Sequence, residues 1–271
     1  MYLFLKADIV SPKTLRIIKK NSRATLIHFY PDNPFSLWNG NANANVLRAL
    51  PLFDIFLIWS KMLIPALESA GCKKVSYMPF AYDETIFEQE LSISDSDRTR
   101  YTADVSFIGT WEPERAWWLS TLRTRMPHLN LAIWGNGWEY EKQSNLANCI
   151  KGPALYPPES LKAFRCSTIN LNFIRRQNMT SHNMRTFELP ANKSFVLAQR
   201  TYEHTHELFK ENVSIACFES IDELIEKIHF YLNNELQRRT CIDNAYEQAR
   251  HYRLATVLKN FLNKDLDHYE V

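Results

Sequence analysis

The chain has 271 residues, of which 45% are hydrophobic and 23% are charged, so a sizeable core is feasible and wholesale disorder is excluded. Its 32 Lys and Arg residues stand against 30 Asp and Glu residues, a formal net charge of +2. A dedicated nucleic-acid binder usually carries a clear basic excess, and this chain does not. Only 6 glycines are present, which excludes collagen-like chains and motifs that need several closely spaced glycines.

The cysteines and the lengths of the apolar runs indicate the cellular compartment. There are 5 cysteines and no C-x-x-C pair, a pattern that indicates buried free thiols in a reducing compartment rather than a disulfide framework or a zinc site. The first eight residues lack the charged and long apolar regions of a signal peptide. The longest apolar run, residues 50–59, is far shorter than the roughly 20 residues that span a bilayer. We therefore expect a cytoplasmic protein without a transmembrane segment, whose oligomeric state the sequence leaves open.

Short β-type runs alternate with helical patterns along most of the chain. Strands are predicted at residues 2–5, 25–30, 54–59, 75–80, 104–108, 130–134, 168–173, 194–198 and 214–218. Helices are predicted at residues 12–20, 46–50, 62–70, 114–125, 158–166, 185–192 and 204–210, and through the stretch 221–262. This alternation, with continuously apolar strands, predicts an α/β fold whose parallel sheets are covered on both faces.

One stretch interrupts the alternation. Residues 88–101 are polar and charged and include three serines. We interpret them as a linker between domains, with a plain surface loop as the alternative. The predicted domains are residues 1–90 and residues 102–271.

The loop after the fifth predicted strand is a candidate phosphate site. Gly109 and Thr110 follow that strand, and Pro113 and Arg115 open the next helix. A glycine lets the backbone approach a ligand, and Pro suits the first helical turn. Free amide groups at a helix start favour phosphate, and Arg115 can add a charge-assisted contact. The alternative is an ordinary loop with a surface arginine.

The loop after the sixth predicted strand holds a second pair of glycines, Gly135 and Gly137. It is not the dinucleotide-binding fingerprint, because Tyr140 stands where that motif needs its third glycine. Alone, the pair indicates a tight turn.

The most informative stretch is residues 180–188. Ser181, His182 and Asn183 are donors and capping residues at a predicted helix start. Arg185 lies in the first turn, where the helix dipole disfavours a cation unless an anion binds beside it. Glu188 follows one turn later and could accept both hydroxyls of a ribose. The alternative is a capped helix with a surface pair between Arg185 and Glu188.

Candidate bases lie in the first half of the chain. Asp32 follows the predicted strand that contains His28, and the carboxyl end of a strand is a usual place for a general base. An Asp–Pro type turn with a capping carboxylate is the alternative interpretation. The sequence contains no H-E-x-x-H, G-x-S-x-G or P-loop motif, and no metal site is indicated.

Taken in order, these segments resemble GT-B glycosyltransferases, specifically the glycosyltransferase-like proteins related to the spore maturation protein CgeB. The matching segments are residues 104–110, 113–115, 133–138, 181–188, 195–198, 207–209 and 222–224, with 32–35, 78–83 and Phe87 in the first half. Three positions depart from the family pattern. Asn192-Lys193 replaces a glycine, Thr180 stands where many retaining enzymes have a second glutamate, and an acidic residue is replaced near Ser214.

The resemblance implies two Rossmann-like domains facing a cleft, with an abbreviated amino-terminal domain and a helical carboxyl terminus. It implies metal-independent transfer of a sugar, of the hexosyl type, from a nucleotide-diphosphate donor to an acceptor hydroxyl on a glycan, protein or small molecule. No cofactor is expected. By resemblance, Glu188 binds the ribose, while Arg185, Arg115 and the backbone at Gly109 and Asn183 face the diphosphate.

The remaining site residues follow from the same resemblance. Gly135 lines the nucleotide cleft, Thr110, Ser181 and His182 complete the donor-binding set, and Asp32 or His28 deprotonates the acceptor. Three alternatives stay open: a non-catalytic nucleotide- or sugar-binding module, which the departures favour, a scaffold without a ligand, and a nucleic-acid binder that uses scattered basic residues.

Overall fold

The computed structural model of the protein describes residues 1–36, 41–178 and 180–265. The chain forms two compact units. Unit 1 contains Met1–Ala81, Arg175–Asn183 and the segment from Ala255 onward, and unit 2 contains Tyr82–Ile174 and Met184–Leu254.

Unit 1 is built on a parallel sheet of four strands in the order β1-β2-β3-β4. The strands are β1 (Tyr2–Leu5), β2 (Leu26–Tyr30), β3 (Ile55–Ile58) and β4 (Val75–Tyr77). The helices between them are α1 (Pro12–Asn21), α2 (Ala44–Ala49) and α3 (Ile64–Ser69). Every residue of β3 is buried, as expected for an inner strand of a parallel sheet with helices on its faces.

Unit 2 is built on a parallel sheet of six strands in the order β10-β9-β8-β5-β6-β7. The strands are β5 (Ala103–Ile108), β6 (Leu131–Trp134), β7 (Ile150–Gly152), β8 (Ser167–Asn172), β9 (Val196–Gln199) and β10 (Ala216–Phe218). The helices are α4 (Glu84–Phe87), α5 (Asp95–Tyr101), α6 (Pro113–Arg125), α7 (Glu159–Cys166), α8 (Arg185–Ala191), α9 (Ile221–Asn233) and α10 (Glu235–Ala249). A π-helical turn, His204–Leu208, follows β9.

The core of unit 2 forms around its central strand. In β5, Val105 is opposite Leu131 of β6 on one side and Ile169 of β8 on the other. Rings of Trp118 and Phe218 pack against each other with centroids 5.3 Å apart. Because aromatic side chains bury much apolar area each, such contacts supply a large share of the driving force for folding.

The nine predicted strands are confirmed, each within a few residues of its predicted bounds. β7 was not predicted, because it lacks a continuous apolar run and its middle residue, Lys151, is exposed. Residues 88–101, interpreted as a linker, lie in unit 2 and include the helix α5. Ser94 and Asp97 form a capping box at its start, and Tyr101 at its end is buried, so local capping and one apolar anchor make this polar segment helical.

The predicted helical stretch 221–262 consists of α9, α10 and α11 (Leu254–Asp265). Val257 and Phe261 of α11 are buried against Ile27, Ile55 and Leu57 of the first sheet. The apolar face of α11 therefore belongs to the core of unit 1, whereas the predicted second domain ran on to residue 271. Within the described residues, no helix combines the length and the apolar character needed to cross a membrane.

Candidate functional site

The carboxyl ends of β5 and β6 approach each other closely because two glycines meet there. Gly135 has a φ of +156°, and a Cβ atom at this position would lie 1.9 Å from the carbonyl oxygen of Gly109. That oxygen accepts a hydrogen bond from the indole nitrogen of Trp138 at 2.8 Å. The amide of Gly109 donates to the carbonyl oxygen of Trp134 at 2.9 Å. Gly135 is thus required by backbone packing at the edge where parallel sheets bind ligands. A Cβ atom at Gly109 would lie 2.7 Å from the ring of Phe107.

Arg115 is folded back onto the loop that precedes its helix. Its Nη1 atom donates to the carbonyl oxygen of Thr110 at 2.8 Å and lies 3.7 Å from a carboxylate oxygen of Glu112. The guanidinium also lies over the ring of Phe107, 5.5 Å from its centroid. The side chain is therefore placed beside the predicted phosphate loop, and it fastens that loop to the start of α6.

Arg185 and Glu188 form an ion pair within the first turn of α8. The guanidinium of Arg185 also lies 4.9 Å from the centroid of the Phe164 ring. Glu188 is only 6% exposed, so its carboxylate needs a partner, and Arg185 is one. The pair that the sequence offered as an alternative is present, although its acidic member is buried instead of lying on the surface.

A chain of buried hydrogen bonds fixes the start of α8. The side-chain amide of Asn172 donates to the Oγ1 atom of Thr186 at 3.3 Å, and that hydroxyl lies 2.9 Å from Nε2 of His204. Nδ1 of the same imidazole lies 3.1 Å from the carbonyl oxygen of Gln199. Since a carbonyl can only accept, Nδ1 carries the proton and Nε2 accepts from Thr186. Sequence reasoning missed His204, whose only signal is a polar residue following a buried strand.

Ser181 and His182 are fully buried in unit 1. The amide of Phe80 donates to Nε2 of His182 at 3.1 Å, so Nδ1 carries the proton and faces Oγ of Ser181, 3.1 Å away. The Ser181 hydroxyl in turn reaches the carbonyl oxygen of Trp59 at 3.2 Å. Both side chains therefore have structural bonds within unit 1, and Asn183, half-buried, ends the same segment.

Asp32 lies two residues past the end of β2 and is held by two side chains. One carboxylate oxygen, Oδ2, is 3.0 Å from Nζ of Lys6, and the other, Oδ1, accepts from Nε2 of Gln177 at 3.1 Å. Lys6 follows β1 directly, whereas Gln177 is 145 residues away along the chain. No pattern in the sequence pointed to Gln177.

His28 lies within β2, close to Asp32 in the sequence, but its environment is different. Its ring is 2% exposed and stacks on Phe53 with centroids 4.3 Å apart. Rings of Tyr30 and Phe56 contact it edge-on. Burial lowers the pKa of His28 to about 4, so at neutral pH the imidazole is uncharged inside an aromatic cluster. Of the two candidate bases, Asp32 is the one with access to solvent.

Over residues 1–36, 41–178 and 180–265, no three His, Cys, Asp or Glu side chains are grouped closely enough to hold a metal ion. The expectation of transfer without a metal stays a prediction.

Comparison with known proteins decides the family. A family described as glycosyl transferase-like matches residues 114–263, more than half of the chain. The chain belongs to this glycosyl transferase-like family. The matched segment includes Arg115, Gly135, Arg185 and Glu188. No curated protein sequence matches the chain significantly.

Solved structures support the fold of this glycosyl transferase-like protein. HepE of Anabaena in complex with UDP-glucose has a TM-score of 0.71 at 14% identity, covering 93% of this chain and 76% of that one. Sucrose-phosphate synthase of Thermosynechococcus elongatus has a TM-score of 0.68 at 12% identity, covering 94% and 71%. A glycosyltransferase of Rickettsia africae has a TM-score of 0.67 at 11% identity, covering 92% and 72%. The protein thus has a GT-B-like α/β fold of two Rossmann-like parallel-sheet domains.

Proposed function

We propose that this protein transfers a sugar from a nucleotide-diphosphate donor to an acceptor hydroxyl without a metal ion. The family match across residues 114–263 carries the proposal. The matched segment includes the helix that begins with Arg185 and contains the buried Glu188. These are the two side chains that we assign to donor binding.

On the donor side, the buried carboxylate of Glu188 binds the two ribose hydroxyls, because an ionised carboxylate has lone pairs to spare beyond its contact with Arg185. The guanidinium groups of Arg185 and Arg115 neutralise the diphosphate, with the backbone at Gly109. In a site that excludes water, such fixed cations stabilise the charge that develops on a leaving diphosphate. Neighbours in structure support the donor class, since HepE was solved with UDP and with UDP-glucose.

On the acceptor side, Asp32 takes the proton of the acceptor hydroxyl. Its carboxylate is 16% exposed and lies past the carboxyl end of a parallel strand, where ligands bind in open α/β sheets. His28 is the weaker candidate, because its ring is enclosed by aromatic side chains.

Donor binding is tested by calorimetry with a panel of nucleotides and nucleotide sugars, beginning with UDP-glucose. We expect at least one donor to bind, and we expect Glu188→Gln to weaken that binding by roughly tenfold, since hydrogen bonds to a charged group contribute about 1.5–3 kcal/mol. Glu235→Gln is the matched control, because Glu235 is paired to Arg239 on the surface of α10. Failure of every compound to bind the unmodified protein would contradict the proposal.

A second function is a non-catalytic nucleotide- or sugar-binding module. The departures at Lys193 and Ser214 from the family pattern favour it. Binding of a donor sugar without hydrolysis and without transfer to any acceptor would identify the module, whereas turnover identifies the enzyme.

A further inference from the structure

The carboxylate of Asp32 is held on both of its oxygens by side chains from distant parts of the chain. Lys6 Nζ lies 3.0 Å from Oδ2, and Gln177 Nε2 donates to Oδ1 at 3.1 Å. An ionised carboxylate has about four lone-pair positions, two on each oxygen. One contact on each oxygen therefore fixes the plane of the group and leaves lone pairs available for a substrate proton.

The two holding side chains are themselves placed by the backbone. Strands β1 and β2 are parallel, with Leu5 opposite Phe29, so Lys6 leaves β1 beside the exit of β2. Its amide donates to the carbonyl oxygen of Phe29 at 3.0 Å. Gln177 is oriented by its other atom, because Oε1 accepts from the amide of Asn33 at 3.5 Å, a long contact. With Oε1 used as an acceptor, the Nε2 group faces Asp32 as a donor.

We propose that Lys6 and Gln177 are positioning residues that hold the Asp32 carboxylate ready to receive the acceptor proton. This inference depends on the proposed function. In the step concerned, the acceptor O–H bond breaks and its proton passes to Asp32, while the acceptor oxygen forms a bond to the anomeric carbon of the sugar. The bond from that carbon to the diphosphate breaks, and the nucleoside diphosphate leaves with the electron pair.

The two contacts on Asp32 differ in charge. Lys6 carries a positive charge, whereas Gln177 is neutral and follows Arg175 and Arg176 in the chain. Lys6 therefore contributes an ion pair to the carboxylate, and Gln177 contributes a neutral hydrogen bond.

The test compares kcat for transfer with donor affinity in the full-length chain, with the donor identified by calorimetry. We expect Lys6→Met and Gln177→Ala each to lower kcat by roughly tenfold, because loss of one contact lets the carboxylate turn away from the acceptor hydroxyl. Lys6→Arg, which keeps a cationic donor, should retain more activity than Lys6→Met. Donor affinity stays within about twofold in all three variants.

Matched controls separate positioning from general damage. Lys13→Met removes an exposed charge from α1, and Gln143→Ala shortens an exposed side chain in unit 2; neither is expected to lower kcat. Unchanged kcat in both Lys6→Met and Gln177→Ala would overturn the inference, as would Lys6→Arg no more active than Lys6→Met, or full transfer activity in Asp32→Asn. A protein that binds a donor and transfers nothing overturns this inference alone, whereas a protein that binds no nucleotide sugar overturns the proposed function as well.

Discussion

The edges formed by the carboxyl ends of the strands are built differently in the two sheets. In unit 2, the loops after β5 and β6 meet through the backbone, because Gly135 has no Cβ atom to clash with the carbonyl oxygen of Gly109. In unit 1, the edge after β1 and β2 is shaped by side chains, with Lys6 and Gln177 on Asp32. Close backbone packing contributes to stability, whereas partly exposed side-chain contacts contribute little to it.

The largest effect is expected from Gly135→Ala. A Cβ atom there would lie 1.9 Å from the carbonyl oxygen of Gly109, which is also bonded to Trp138, and the φ of +156° disfavours a side chain. We expect unfolding free energy to fall by roughly 3 kcal/mol or more, measured by urea denaturation. Gly152→Ala is the matched control, since its Cβ would meet only Trp134 at an ordinary 3.7 Å. Equal stability of the two variants would refute the backbone account of this edge.

The next effect is on binding, at the start of α8. Arg185→Ala removes a guanidinium and leaves the buried Glu188 without that partner. Loss of one charge-assisted contact to a diphosphate costs about 1.5–3 kcal/mol, so nucleotide affinity should fall roughly tenfold or more in calorimetry. Arg239→Ala breaks a surface pair of the same chemistry and serves as the control. Unchanged affinity in Arg185→Ala would remove that side chain from the proposed donor site.

A smaller effect on stability is expected at Glu88, which bonds to Tyr82 at the start of unit 2 and to Arg253 near its end. Its carboxylate accepts from Nε and Nη2 of Arg253 at 2.7 and 2.5 Å and from the hydroxyl of Tyr82 at 2.6 Å. The hydrogen bond from Arg253 is the main cause that lowers the pKa of Glu88. A carboxyl group with a lowered pKa in the folded state stabilises the fold above its unfolded pKa and loses that contribution as pH falls through the folded one.

The matching experiment compares the unmodified protein with Glu88→Gln by denaturation between neutral and acidic pH. We expect a difference of about 1 kcal/mol near pH 7, which shrinks as the pH falls below the ordinary range of a glutamate. A difference that stays constant down to acidic pH would mean that the charge of Glu88 contributes nothing.

The smallest effect on stability is expected from Lys6→Met. Its side chain is 44% exposed, and exposed ion pairs contribute about 0 to 1 kcal/mol. We expect a change within about 0.5 kcal/mol in the denaturation used for Gly135→Ala. A loss of unfolding free energy as large as that of Gly135→Ala would show that the two sheet edges do not differ in their contribution to stability.

Local signals in the sequence predicted most of the architecture. Continuous apolar runs located the strands, and Pro113 marked the start of α6. The signals failed where a segment lacks an apolar pattern. β7 has the exposed Lys151 at its middle, and α5 is polar except for its buried Tyr101.

The candidate site was predicted less completely than the fold. Gly135, Arg185 and Glu188 could be selected from sequence because glycine and charge near a strand end or helix start have local physical meanings. Gln177 and His204 could not, because their roles depend on contacts that exist only after the chain folds. Likewise, His28 looked like a base from its place in a strand, whereas the rings of Phe53 and Phe56 surround it.

The central claim is that a nucleotide-diphosphate sugar binds at the start of α8 through Arg185 and Glu188. Titration calorimetry with the nucleotide-sugar panel, on the unmodified protein and on Glu188→Gln, tests it most directly. The account predicts that the unmodified protein binds a donor and that the variant, still folded, binds it roughly tenfold more weakly. Equal affinity of the two proteins, or no binding by either, would contradict it.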